Sequence, residues 1–139
     1  MSGLVLNDDV KWISFASKYD FGYLLKTLTC AELPMDEQGF IDLLWTFFPC
    51  FYDVKVTPAQ HHLYTMHLKS ISSLVLSIYI QYMMTAAEGM HGGLSSLADA
   101  LQITRIGPMH QAGSDSLLTA QAFFTLIQKH FNGNCDDTK

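Results

Sequence analysis

An α/β layer fold is the architecture this chain predicts, and three observations carry it. Residues 10–15 alternate in the two-residue rhythm of a strand, Trp12 and Ser14 against Ile13 and Phe15. Two later stretches space their apolar residues as a helix does: Phe40, Ile41, Leu44, Trp45 and Phe48, then Leu94, Leu97, Ala98 and Leu101. Strand-like and helix-like segments also take turns along the chain, as layered α/β folds require.

The elements follow in order. Residues 4–6 read as a first extended segment and 10–15 as a second. Residues 20–28 read as a helix with a polar start at Asp20. Pro34 or Met35 opens a second helix, which Pro49 stops because proline cannot donate to the preceding turn. Residues 50–55 form a short buried strand. Residues 83–90 and 94–101 are short helices. Residues 116–131 are the last helix, with Gly133 suited to a left-handed position just past its end.

The 139 residues suit a single domain, and 49% hydrophobic content is enough for a core. Only 15% are charged, against a typical ~25%. With a mean hydropathy of +0.16, this balance leaves apolar surface to be covered by something else. The net charge of -5 supplies no broad basic field for non-specific binding to nucleic acid. Cys30, Cys50 and Cys135 are odd in number and form no C-x-x-C knuckle, which points to a reducing compartment. Residues 1–10 carry two aspartates and no basic start, so no secretory leader is expected.

The chemistry concentrates in residues 106–119. Ile106, Gly107 and Pro108 form a loop, and His110 and Asp115 follow it, five positions apart, where the last helix begins. A carboxylate in a first helical turn can ligate a hard cation, and a nearby imidazole can take a proton from water. The structural alternative is that Ser114 or Asp115 simply caps the helix, and one residue can do both jobs. Asp20, read alone, is likewise an N-cap ahead of Phe21, Leu24 and Leu25.

Taken together, these segments resemble a known family. The run from Ile106 to Thr119, with its His-x4-Asp spacing, is similar to the third exonuclease motif of the DEDD ribonucleases, above all the CAF-one/POP-two poly(A)-specific ribonucleases of the CCR-four–NOT deadenylase complex. Lys11–Ser14 with Tyr19, Asp20, Phe21, Gly22 and Tyr23 resembles that family's second motif. Phe47, Phe48 and Pro49, then Tyr52, Asp53, Val54 and Lys55, then Gly92, Gly93 and Leu94, match it in the same order. The resemblance covers residues 3–55 and 82–138.

It implies a ribonuclease-H-like exonuclease fold and Mg²⁺- or Mn²⁺-dependent hydrolysis of poly(A) tails from the 3′ end. It also implies residence in cytoplasm and nucleus, with scaffold and nuclease subunits of the CCR-four–NOT complex as partners. Neither DNA nor a membrane is expected as a partner; the apolar run 71–84 is shorter than the ~20 residues that span a bilayer. Carried over residue by residue, Asp20 and Asp115 match two metal-ligand aspartates and His110 the general base. The DNA-repair exonucleases are a weaker match around Tyr19–Leu24 and Tyr52–Lys55.

Two departures matter. The family's four-acid site begins with an Asp-x-Glu pair on its first strand, and no Asp-x-Glu occurs in these 139 residues. The expectation is an N-terminally truncated domain with its first strands missing. Two acids give two closely spaced cations about half of the protein charge they need, so the chain alone is expected to be inactive. A non-catalytic interaction module of the same complex is the competing reading.

The second departure is an insert at 56–81, where family members run directly from Tyr-Asp-Val-Lys into a segment like 82–94. Valine is encoded by GTN and glutamine can be CAG, so an in-frame retained intron would read as Val56 to Gln81. A gene-model error would read the same way. His61, His62 and His67 within it lack a fourth ligand for a zinc site. Residues 73–80 are uncharged and rich in strand formers, an aggregation hazard.

Overall fold

A computed structural model describes residues 3–55 and 93–131 of the chain. The 56–81 insert, its histidines, the helix read over 83–90, Gly133 and Cys135 lie outside the described residues. The described part runs β1 (Lys11–Ser14), α1 (Lys18–Thr29), α2 (Glu37–Phe47), β2 (Cys50–Asp53), α3 (Leu94–Leu101) and α4 (Ala112–Phe131).

Two parallel strands form the sheet, with Lys11 opposite Cys50 and Ser14 opposite Asp53. Parallel strands need a crossover connection, and α1 and α2 provide it. Side chains on a strand alternate faces, and each face here meets its own helix pair. Trp12 and Phe51 point to one side, into a cluster with Phe21 and Leu25 of α1 and Ile41 and Leu44 of α2. Ile13, Tyr52 and Val54 point to the other side, against Leu97 and Leu101 of α3 and Ala122, Phe123 and Leu126 of α4. The result is helix–sheet–helix layering, the α/β architecture expected. Both sheet faces are covered, which is why residues 51–54 are buried without alternation.

Helix α3 spans the expected residues and ends in a left-handed Gln102, whose N–H reaches Ala98 O and Asp99 O. The second helix opens later than Pro34 or Met35. Asp36 is its N-cap, accepting from Gly39 N at 2.8 Å. It stops at Phe47, two residues ahead of Pro49, because the residue before a proline is pushed out of helical geometry.

Residues 4–6 are not a strand. Leu6 is left-handed (φ 57) and donates to Phe47 O at 2.8 Å, a bent segment tied to the end of α2. Helices α1 and α4 begin earlier than expected, at Lys18 and Ala112 rather than at 20 and 116. Asp20, Ser114 and Asp115 therefore lie inside first turns, and none of them is an N-cap. Asp115 N already donates to Gln111 O at 2.9 Å as an intrahelical bond. Among the described residues no helix is long and apolar enough to cross a membrane.

Candidate active site

The β1–α1 connection is a tight corner held by one buried acid. Asp53, 7% exposed at the end of β2, accepts from Ala16 N at 2.7 Å, Ser17 N at 2.9 Å, Ser17 Oγ at 3.2 Å and Lys55 N at 2.9 Å. The corner needs this because Ala16 is left-handed (φ 53), a conformation costing an L-residue about 1–2 kcal/mol. Ser17 offers no side-chain cap to α1, so Asp53 satisfies N–H groups at the helix start in its place. That corner sets where Asp20, in the first turn of α1, emerges.

A second corner presents His110. Gly107 is left-handed (φ +88), and a Cβ there would sit 3.3 Å from Ser114 Cβ, so any larger residue would push on α4. His110 is itself left-handed (φ 61) and exposed, a backbone state that histidine adopts at a modest cost. Asp115 follows in the first turn of α4, half-buried.

Asp20 from α1, His110 from the loop leading into α4 and Asp115 from that helix's first turn line one open cavity of about 700 Å³. It lies at the carboxyl end of β1, walled by Ser14, Phe15 and the starts of α1, α3 and α4. Carboxyl ends of parallel strands are where such folds bind ligands, and helix N-termini favour negative groups there. Asp20 and Asp115 in the same lining favour a cation instead, so a phosphate there would need a cation between it and the acids.

Arg105 completes the wall, a residue that sequence reasoning missed. Its guanidinium donates to Asp115 Oδ1 at 2.5 Å and Ser114 Oγ at 3.0 Å, and reaches Ser95 Oγ at 3.5 Å, joining the N-termini of α3 and α4. No short motif marks an arginine ten positions ahead of its partner. Asp53 did carry a signal: an acid inside the apolar run 51–54 must be hydrogen-bonded once buried.

The donor set has the right hardness for Mg²⁺ or Mn²⁺. The arrangement nevertheless does not close on an ion. Among the described residues no three His, Cys, Asp or Glu side chains converge to hold a metal, and one oxygen of Asp115 is engaged by Arg105.

The geometry defines an α/β protein whose acids, imidazole and arginine line one cavity at the carboxyl end of a parallel strand, beside three helix N-termini. Known proteins narrow that class. The chain belongs to the CAF1 family: the model described as CAF1 family ribonuclease matches residues 10–123.

A protein of Arabidopsis thaliana described as "Probable CCR4-associated factor 1 homolog 10" is 39% identical over 135 residues, covering 97% of this chain and 39% of that protein. Poly(A) ribonuclease pop2 of Schizosaccharomyces pombe is 41% identical, covering 97% of this chain and 32% of that protein. The solved structure of S. pombe Pop2p in its Mg²⁺- and Mn²⁺-bound form superposes with a TM-score of 0.71 at 41% identity, over 97% of this chain and 43% of that one. A chain in the structure of the yeast NOT1 MIF4G domain co-crystallized with CAF1 gives a TM-score of 0.61 at 25% identity, over 96% of this chain and 45% of that one. The chain thus spans two fifths or less of the length of these curated relatives.

Proposed function

We propose that this chain is part of a poly(A)-specific 3′→5′ exoribonuclease, with Asp20 and Asp115 as cation-binding carboxylates and His110 as general base. One observation carries the reading: Asp20, ninety or more residues before His110 and Asp115 in the chain, lines the same cavity as that pair. Water would attack the terminal phosphodiester, the P–O3′ bond would break, and His110 would take the water's proton. The exposed imidazole on its left-handed turn is free to approach a substrate from the cavity mouth. Arg105 keeps Asp115 aimed at the same space and offers its own charge to a phosphate oxygen. Residues 1–139 are read as one ribonuclease-H-like domain interrupted at 56–81; a spliced message that still encodes 56–81 would remove the retained-intron explanation. Cytoplasm and nucleus are the proposed locations.

These 139 residues should nonetheless hydrolyse poly(A) negligibly by themselves. They hold no Asp-x-Glu pair, so two acids would give two closely spaced cations about half of the protein charge they need. A 5′-labelled A-tailed RNA incubated with the purified chain and Mn²⁺ should keep its length on a denaturing gel. Metal-dependent shortening, lost in His110→Ala, would show that the chain is an enzyme unaided.

A second reading has its own support. A CAF1 solved together with the NOT1 MIF4G domain shares the fold over 96% of this chain, so a docking module of the CCR4–NOT assembly is the alternative role. Co-purification with a recombinant NOT1 MIF4G domain is the expected outcome. Absence of any complex at micromolar concentrations would remove this reading.

A further inference from the structure

Helix α1 has a second exposed face that the cavity does not use. Tyr19 and Tyr23 stand 79% and 75% exposed on it, unusual for large aromatic side chains. Behind them lies a separate apolar groove of about 300 Å³, lined by Lys18, Gly22, Lys26, Leu33 and Phe40 besides the two tyrosines. The floor is open because Gly22 has no side chain; a Cβ there would already touch Leu33 and Phe40 at 3.8 and 3.9 Å. Two of the chain's eight Lys and Arg residues stand on its rim although the whole chain is acidic. Lys18 is loosely held by Glu37 at 3.6 Å, with both partners about half exposed.

Groove and cavity share no lining residue, yet both are walled by the first turns of α1. Asp20 and Tyr23 are three residues apart and Tyr19 and Tyr23 four, so the three side chains are neighbours on one stretch of α1. The tyrosines are separated by about 6 Å along the axis, a spacing that successive bases of a partly extended strand can match. An aromatic pair stacks any base, and flanking lysines follow the phosphates; this is how single strands are held without base-specific contacts.

We propose that Tyr19 and Tyr23 form a stacking platform for the single-stranded RNA that leads into the Asp20 cavity, with Lys26 and Lys18 on its phosphates. This rests on the nuclease reading above and adds the path of the strand upstream of the 3′ end. A peptide is a poorer occupant, because Lys18 and Lys26 stand beside the two exposed rings, as a strand's phosphates beside its stacked bases require.

The test is fluorescence anisotropy of a labelled oligoadenylate RNA of about 12 nucleotides against the full chain in Mn²⁺, where the RNA is expected to stay intact. Tyr19→Ala/Tyr23→Ala should weaken binding at least tenfold, whereas Tyr19→Phe/Tyr23→Phe should bind as the parent does, since the ring and not the hydroxyl stacks. Lys26→Ala should lower the salt dependence of binding by roughly one phosphate contact. Both tyrosines are exposed, so circular-dichroism melts of the variants should match the parent, separating a binding defect from unfolding. If the parent does not bind RNA, the nuclease reading falls and this inference with it. If the parent binds and the double alanine variant binds equally well, this inference alone is overturned. Loss of affinity for a glutamate-rich peptide, with RNA affinity untouched, would make the groove a peptide site and overturn it as well.

Discussion

Asp53→Ala should cost about 3–5 kcal/mol of folding stability, read as a fall in melting temperature on the order of 10 °C or more. The carboxylate accepts three backbone N–H groups and the Ser17 hydroxyl. Removing it leaves the buried Ser17 N–H without an acceptor, at about 1–3 kcal/mol, and strips the restraint that keeps Ala16 left-handed. Asp53→Asn keeps one acceptor oxygen, so it should fall between the alanine variant and the parent. Ala16→Gly provides the control: glycine accepts that backbone state freely, so this change should be neutral or stabilising by up to about 1 kcal/mol. Should Asp53→Ala melt within 2–3 °C of the parent, the claim that this acid holds the corner would be wrong. The consequence reaches the candidate site, since the corner decides where Asp20 emerges. Asp53 lies outside the cavity lining, so its part is to position Asp20.

Phe48→Ala should be of similar size, about 3–5 kcal/mol, for a different reason. Phe48 is fully buried just past α2. It meets Trp12 edge-on, with ring centroids 4.9 Å apart, and Phe21 at 4.8 Å. Phe21 in turn contacts Phe51 at 4.6 Å. This one ring thus ties β1 and α1 to the end of α2, with β2 joined through Phe21, and deleting it opens a void that the sheet prevents from collapsing. Phe48→Leu keeps most of the volume and should lose no more than about half as much. Urea unfolding curves check both variants. An alanine variant less than 1 kcal/mol below the parent would mean that the aromatic cluster rearranges readily. Because Phe21 directly follows Asp20, a loosened cluster should also weaken RNA binding beyond what Phe48, remote from the cavity, could do by contact.

Much of the architecture was legible from periodicity. The apolar stripe of α3 and its boundaries, the core stripe of α2 and the alternation in β1 each follow from side chains repeating at 3.6 or two residues, a local property of the chain. The boundaries that missed did so where local and tertiary effects compete. Residues 4–6 have strand-like composition, yet with no neighbouring strand among the described residues they bend instead, and Leu6 bonds to the end of α2. Helix α1 starts at Lys18, after Ser17, a favoured cap residue overlooked in favour of Asp20; its side chain makes no cap bond, and a partner 36 residues away binds its N–H instead. Asp115 read as a cap from its neighbours, whereas α4 begins three residues earlier and leaves it within the first turn.

The sequence by itself determined which residues could do chemistry, the period of each helix and strand, and the ordered motifs that place the chain in its family. Only the tertiary structure decided that Asp20, His110 and Asp115 share one cavity, that Arg105 engages Asp115, and that Asp53 braces the corner beneath. The reason is range. Helical and strand periodicity is written in residues a few positions apart, whereas charges and hydrogen-bond partners meet through space, across separations that no local pattern records.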